Sequence, residues 1–362
     1  MRIHSPKRYS KRSHTGTIHQ SKKGTDMKIR SISIHTFTLA TVLAGAWGVA
    51  AQAQEAQSAR GYFFPALIPS YFDKEHFLED ISMERCELSN GYQSWCYRLK
   101  VKSNPVEVGP FCPETINDIG GVYPYDGATN PGLRVLKRDL FEDMEADGYD
   151  IVDDDGAIRF IMIKTGEIPN LDPDLSYCIE VEPDNELQLS YMIPVFSWHA
   201  QESTPMDDAS KIVGLSLIGM PINGLPPSVA NGIPGAPTGT GSMPALDACG
   251  GHINEGFYHS HIFPETINEI YARHHIGDVR CEAVYPKGSG DLVAYAMDGF
   301  PIYTHLESNG ATPTNLDECN GHFGPTIHYP TGMYHYHSSS AEDVNIPRCL
   351  KGVMAKQQLI VE

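Results

Sequence analysis

Short apolar segments separated by Gly, Pro and Asn recur along most of the chain. Residues 81–103 place apolar positions on both sides of Asn90-Gly91, which predicts two short strands joined by a turn. Residues 104–132 are rich in Pro, Gly and Asn, and we expect irregular structure there. Further apolar segments predict strands at 157–164, 176–182, 187–196, 212–219 and 291–299.

Helical periodicity is weak throughout the chain. Residues 133–147 read LRVLKRDLFEDMEAD and predict one short helix. The Gly/Pro/Thr-rich residues 231–244 should form a surface loop. Short strands with frequent Gly and Pro are typical of all-β proteins. We therefore expect a mostly β fold, a disulfide-stabilised β-sandwich or barrel-like domain with long loops.

One motif occurs twice. Residues 246–261 read LDACGGHINEGFYHSH, and residues 316–337 read LDECNGHFGPTIHYPTGMYHYH. Both follow the template Leu-Asp-x-Cys-x-Gly-His, then a spacer, then Tyr-His-x-His. A Gly-x-Pro-Ile element precedes each copy. The sequence therefore predicts an internal pseudo-duplication, with halves at about 212–285 and 286–358.

Six histidines occupy matching positions in the two copies. They are His252, His259 and His261 in the first copy, and His322, His335 and His337 in the second. Alternate residues of a strand share a face, so the two imidazoles of each His-x-His pair should lie side by side. The histidine of Gly-His can supply a third nitrogen, and imidazole suits copper and zinc. We predict a histidine-rich site for copper or zinc, built where the two halves meet. Two separate sites are the alternative, because the choice depends on how the halves pack.

Tyrosines and aspartates surround these histidines. Tyr334 and Tyr336 alternate with the second histidine pair and, with Asp298, are candidates to contact a bound group. Asp247 and Asp317 are candidates to orient a histidine. The sequence has no Gly-x-Ser-x-Gly and no His-Glu-x-x-His, which argues against the commonest serine hydrolases and zinc proteases. Catalytic residues are therefore not assigned.

The first 53 residues differ from the rest. Residues 1–26 are basic and polar and resemble an upstream extension. Residues 27–53 have a short positive segment, an apolar stretch and a final Ala-Gln-Ala, the pattern of a signal peptide. A membrane anchor is the alternative, but Ser, His and Thr dilute the apolar stretch. We expect a periplasmic or secreted protein without a membrane span after cleavage, and a leader at 54–84.

The eight cysteines all follow this N-terminal segment. An even number in an exported protein indicates disulfides. If equivalent halves make equivalent bonds, the pairs are Cys249–Cys281 and Cys319–Cys349. Cys86–Cys96 can close the predicted hairpin, which leaves Cys112–Cys178. Metal-bound thiolates are the alternative.

The charge of the chain is strongly negative. The chain has 45 acidic and 27 basic side chains and a formal net charge of −18. An excess of negative charge disfavours nucleic acid and anionic lipid as partners and favours cations, although it also serves solubility alone. We expect a metal ion as partner and no nucleic acid.

Together these residues resemble the YHYH-domain family. The resemblance covers roughly residues 85–362, and the family's occurrence among exported proteins agrees with the signal peptide. The first copy departs from the family motif, because Ser260 replaces a tyrosine there. The activity of the family is not established, so the resemblance implies the domain and no reaction. The segments that carry it are GPFCP (109–113), IVGLSLIGMPING (212–224), LDACGGH (246–252), YHSH (258–261), AMDGFPIYTH (296–305), LDECNGHF (316–323) and YHYH (334–337).

Three functions fit this pattern. The first is binding of copper or zinc by the histidines. The second is a metal-free module of the cell envelope that binds a glycan or another protein, in which the histidines are structural. The third is a metal-dependent hydrolase or oxidoreductase, which needs an open coordination position and a general base such as Asp298.

Overall fold

The computed structural model describes residues 65–105, 109–164, 171–172, 174–230, 241–284 and 287–362. The predicted extension, the signal peptide, the first part of the leader and most of the predicted loop at 231–244 lie outside these residues. The strands β1 to β19 are Ser82–Glu87, Gln93–Lys102, Val122–Tyr125, Gly132–Val135, Phe160–Ile163, Cys178–Val181, Gln188–Pro194, His199–Pro205, Ile212–Ser216, Pro221–Asn223, Met243–Pro244, Gly251–Asn254, Phe257–Ser260, Leu292–Ala296, Pro301–Tyr303, Gly321–Gly324, Met333–His337, Cys349–Gly352 and Leu359–Val361. The helices are α1 (Arg138–Ala146) and α2 (Pro264–Arg273), and two 3-10 turns lie at Pro69–Tyr71 and Lys74–His76.

The mostly β class is confirmed. Each predicted strand segment contains a strand, from the β1–β2 hairpin to β14. The described strands form five sheets with open edges, so the barrel-like description is too specific. The expectation of irregular structure throughout 104–132 is wrong, because β3 lies there and pairs with β4.

The expectation of a single helix is also wrong. Helix α1 lies inside the predicted segment, but α2 follows the first histidine motif. Its signals are present in the sequence: Pro264 stands at the first helical position, and Ile267, Ile270 and Tyr271 are buried at helical spacing.

The eight-stranded sheet displays the duplication. Its strand order is β12-β13-β10-β9-β14-β15-β17-β16. The first duplicated half supplies the first four strands, and the second duplicated half supplies the last four in the reverse order. The central strands β9 and β14 are antiparallel, and Leu215 pairs with Tyr295, its counterpart in the repeat. The two halves are thus related by an approximate two-fold axis through this pair.

The described strands outside the central sheet form four smaller sheets. One sheet has the order β1-β2-β7-β19, a second has β11-β6-β5, and two further sheets are the pairs β18-β8 and β3-β4. Strands β2 and β7 contribute Leu99 and Tyr191 to the same hydrophobic core as Val213 and Tyr295 of the central sheet. Residues before the duplicated halves therefore share their core.

A second hydrophobic core joins the two helices. It contains Phe141 and Met144 of α1, and Ile267 and Ile270 of α2. Leu246, the first residue of the first histidine motif, is buried in the same core. This packing fixes the turn that precedes His252.

All four predicted disulfides form: Cys86–Cys96, Cys112–Cys178, Cys249–Cys281 and Cys319–Cys349. No cysteine is free, so metal-bound thiolates are ruled out. Four disulfides are typical of proteins that fold in an oxidising compartment. Neither helix in the described ranges is long and apolar enough to span a bilayer.

Loop length predicts how much each disulfide stabilises the fold. Replacing Cys319 and Cys349 by Ser should lower the free energy of unfolding by about 3–4 kcal/mol, because the bond restrains a long loop in the unfolded chain. The bonded residues are 30 apart, against 10 for Cys86 and Cys96. The Cys86/Cys96 double variant should therefore lose about 1 kcal/mol less. Denaturant unfolding without reductant measures both, and a larger loss from the Cys86/Cys96 variant contradicts this ranking.

Candidate metal centres

The histidines of the first half meet at one edge of the eight-stranded sheet. His252 on β12 lies opposite His259 on β13 in antiparallel register, and His261 follows β13 directly. The three Nε2 atoms lie 3.1–3.2 Å from one another. All three side chains are buried, and His252 is the most exposed at 8%. We call these three residues site 1.

The histidines of the second half meet at the opposite edge in the same arrangement. His322 on β16 lies opposite His335 on β17. The Nε2 atom of His322 lies 3.0 Å from Nε2 of His335 and 3.3 Å from Nε2 of His337. A carboxylate joins this group, because Oε1 of Glu307 lies 3.3 Å from Nε2 of His322. We call these four residues site 2.

Backbone carbonyls orient three of the six imidazoles. Nδ1 of His261 lies 2.6 Å from the carbonyl oxygen of Gly224, and Nδ1 of His337 lies 2.7 Å from that of Thr304. Nδ1 of His335 lies 2.9 Å from the carbonyl oxygen of Met333. A carbonyl only accepts, so each Nδ1 carries the hydrogen and each Nε2 is left as a bare lone pair. This is the arrangement that proteins use to aim a histidine at a metal.

The strand pairing explains why Gly224 and Thr304 are in place. Gly224 follows β10, which runs parallel to β13, and Thr304 follows β15, which runs parallel to β17. The ends of parallel neighbours lie side by side, so each carbonyl meets the last histidine of the neighbouring strand. The same contact forms in both halves because the halves share this strand order.

Burial keeps five of the six imidazoles neutral. Loss of hydration lowers the pKa of His261 to about 4 and that of His337 to about 4. It lowers the pKa of His335 to about 3. Burial also holds the pKa of His252 and His259 well below the usual imidazole value. Neutral imidazole is the form that binds a metal, so these five side chains are ready ligands at neutral pH.

The distances between the nitrogens match a shared ion. Imidazole nitrogens bind zinc at about 2.0–2.1 Å, and tetrahedral geometry then places them about 3.3 Å apart. The separations of 3.1–3.2 Å in site 1 and of 3.0 and 3.3 Å in site 2 are close to this value. Each cluster is therefore a group of side chains that could hold one metal ion.

The expectation of one site between the two halves is wrong. The pseudo-two-fold arrangement sends the two histidine motifs to opposite edges of the sheet, with four strands between β13 and β17. Neighbouring strands lie about 4.8 Å apart, so these two strands are about 24 Å apart. Two separate three-histidine clusters result.

Asp247 and Asp317 do not orient the histidines, which corrects a second expectation. Asp247 accepts hydrogen bonds from the amides of Cys249 and Gly251 and from the hydroxyl of Tyr258. Asp317 accepts equivalent bonds, including one of 2.9 Å from the hydroxyl of Tyr334. Each aspartate thus closes the turn that leads into its Gly-His and ties that turn to the following strand.

Tyr334, Tyr336 and Asp298 lie away from the imidazoles. Strand alternation places both tyrosines on the face opposite His335 and His337. The Tyr336 hydroxyl donates to Oδ2 of Asp298 at 2.6 Å, and the Asp298 side chain is fully buried. Burial raises the pKa of Asp298 to about 6. The geometry brings these residues to one another and not to the histidines. It does not test their predicted contact with a bound group, which stays a prediction.

Glu307 of site 2 and the neighbouring Tyr303 were not predicted from the sequence. Glu307 lies on a loop, 15 positions before His322, and no motif marks it. The ring of Tyr303 packs with its centroid 5.2 Å from that of His335. The available signal was that both residues lie close in sequence to Thr304, Tyr303 at the end of the repeated strand β15 and Glu307 on the loop after it.

Comparison with known proteins identifies one family. The family model described as YHYH protein matches residues 237–315 and 306–352. The two matches include both histidine motifs. No curated protein and no solved structure matches the chain. The function must therefore be argued from the geometry of the two sites.

The Tyr336 hydroxyl should serve stability alone. It donates to Asp298 and accepts from the amide of Lys351 at 2.7 Å. In a Tyr336→Phe variant both groups lose this partner, so the free energy of unfolding should fall by about 1–3 kcal/mol. Any metal bound at site 2 should remain. Denaturant unfolding measures the change in stability, and metal analysis measures the bound ion. The control is Tyr92→Phe, at a 69% exposed position, which should change neither stability nor metal content. Loss of metal without loss of stability would place the hydroxyl at the ion.

Proposed function

The chain is a YHYH-domain protein, and we propose that its domain binds two transition-metal ions, one at site 1 and one at site 2. The observation that carries this proposal is the convergence of three buried Nε2 atoms within 3.0–3.3 Å at both edges of one sheet. Duplication preserved the arrangement of the nitrogens although the sequences around them differ.

A metal-free hydrogen-bond network explains this geometry poorly. At site 2, His335 and His337 each use their Nδ1 hydrogen on a carbonyl, so their Nε2 atoms are acceptors. Only Nε2 of His322 can then carry a hydrogen. It faces two bare nitrogens and the carboxylate of Glu307, and one hydrogen cannot serve all three. A cation at the centre of the cluster satisfies every lone pair at once.

The donor atoms favour copper or zinc. Both sites offer imidazole nitrogen, which suits these ions, and site 2 adds a single carboxylate. Calcium and magnesium require mostly oxygen ligands. All cysteines are in disulfides, so no thiolate competes for the ion. We infer copper or zinc as the resident metal.

The protein would act outside the cytoplasm. Four disulfides support folding in an oxidising compartment, and residues 27–53 supply the signal-peptide pattern. We propose a periplasmic or secreted protein that captures copper or zinc, with the acidic surface favouring the approach of cations.

Metal content tests this function. The full chain, exported to an oxidising compartment and purified without chelator or a polyhistidine tag, should contain about two equivalents of copper or zinc by mass spectrometry. The double variant His335→Ala/His337→Ala should keep only the ion of site 1. The variant His259→Ala/His261→Ala should keep only that of site 2.

A matched pair of histidines outside both sites provides the control. The variant His274→Ala/His275→Ala removes two exposed imidazoles and should keep both ions. Circular dichroism distinguishes a folded variant from an unfolded one. Folded wild-type protein that takes up neither metal on titration refutes the proposal and makes the histidines structural.

The depressed pKa values predict acid-resistant binding. Protonation removes the lone pair that binds metal, and the pKa values of His261, His335 and His337 are about 4, 3 and 4. Binding should therefore persist as the pH falls from 7 to about 5 and be lost near pH 3–4. Equilibrium dialysis across this range measures it. Half-loss near pH 6.5, where ordinary imidazoles titrate, would contradict the burial argument.

A further inference from the structure

The two sites share their nitrogens but differ in their surroundings. We propose that they have separate roles, in which site 1 holds a permanently bound ion and site 2 holds an ion that exchanges with the medium, with Glu307 as the ligand that dissociates first. This inference rests on the proposed function, since both sites must bind metal.

Site 1 has no exposed ligand, since His259 and His261 are 2% and 0% exposed. The equivalent pair His335 and His337 is equally buried, so the two sites differ in Glu307 and not in the burial of these imidazoles. The cavity beside His252 has a volume of about 10 Å³, lined by residues that include Phe111 and Glu180. Such a volume holds at most one water molecule. A chelator is therefore too large to enter this cavity.

Site 2 has a ligand that can leave without disturbing a strand. Glu307 lies on the loop after β15, and its side chain is 24% exposed. The loop is held by its own hydrogen bonds, from the Glu307 amide to the Ala311 carbonyl and from the Gly310 amide to the Glu307 carbonyl. Counted from the repeated Gly-x-Pro-Ile element, the first half has Pro227 at this position, which offers no ligand.

Gly324 leaves a small space beside two imidazoles of site 2. A Cβ atom at Gly324 would lie 3.6 Å from Cε1 of His335 and 3.7 Å from Cε1 of His322. These are ordinary contact distances, so a methyl group would fit there and shield both ring edges. The first half has Asn254 at the equivalent position. A side chain is therefore absent beside site 2 and present at the matching position of the first half.

The hairpin loops differ in length. A turn at 255–256 joins β12 to β13, whereas 325–332 join β16 to β17. The longer loop is anchored in the main core by Tyr329, and its Ile327 is 71% exposed. The exchange at site 2 therefore depends on Glu307 and not on opening of this loop.

These differences suggest a stepwise exchange at site 2. When the Glu307 carboxylate dissociates, three imidazoles still hold the ion, and an incoming donor can take the vacant position. Exchange of one ligand at a time avoids a bare ion in the protein. Site 1 lacks such a displaceable ligand among its metal-ligating group.

Release kinetics test this division. Zinc-loaded full-length protein is mixed with excess of a coloured chelator, and release is followed with time. We expect two phases of equal amplitude, one ion each. The His335→Ala/His337→Ala variant should show the slow phase alone, and the His259→Ala/His261→Ala variant the fast phase alone.

Single substitutions identify the ligand that controls the fast phase. Glu307→Gln should weaken binding at site 2 by about 10–100-fold and speed the fast phase, leaving the slow phase unchanged. Gly324→Ala should slow the fast phase, because its methyl group covers the ring edges. The control Glu318→Gln removes an exposed carboxylate that pairs with Lys351 and should change neither phase.

The outcomes separate this inference from the proposed function. Two ions that leave in one phase overturn the division of roles and keep the metal-binding function. A Glu307→Gln variant with unchanged kinetics, at wild-type melting temperature, also overturns it. Protein that binds no zinc overturns both.

Discussion

The antiparallel pairing of β9 with β14 is the contact on which the rest of the structure depends. Leu215 lies opposite Tyr295, its own counterpart, so the two halves are related by a two-fold axis through this pair. Each half adds its remaining strands outward from this axis. The histidine strands consequently end at opposite edges, and the chain has two separate clusters. Both central strands are buried in the main core, so disrupting their pairing would cost much free energy.

Each cluster is built by two kinds of contact that do not involve a metal. An aspartate closes the Gly-His turn and holds the following strand through a tyrosine hydroxyl, Asp247 with Tyr258 and Asp317 with Tyr334. A carbonyl at the end of the neighbouring parallel strand then sets the tautomer of the last histidine. The imidazoles are therefore held in place before an ion arrives, which lowers the cost of ordering on binding. The tyrosines of the motif serve the turn and the core, and the histidines form the cluster.

Much of this could be predicted from local sequence. The repeat gave the six histidines and two disulfides, because equivalent halves make equivalent bonds. Strand alternation gave the shared face of each His-x-His pair. The strand order could not be predicted, because it depends on long-range pairing. Without the strand order, the position of the two histidine motifs at opposite edges was not visible, and one shared site was expected. Glu307 was missed for the same reason, since only tertiary packing brings its loop to His322. Asp247 and Asp317 were misassigned because an aspartate at this position before the Gly-His could either close the turn or orient a histidine. The sequence does not distinguish these two roles.

The position of the bound ions tests the central claim most directly. Crystals of the exported protein loaded with zinc, measured on both sides of the zinc absorption edge, reveal each ion by its anomalous scattering. We predict two peaks, one among Nε2 of His252, His259 and His261 and one among Nε2 of His322, His335 and His337. A single peak between the halves, or peaks only at surface carboxylates, would contradict the account.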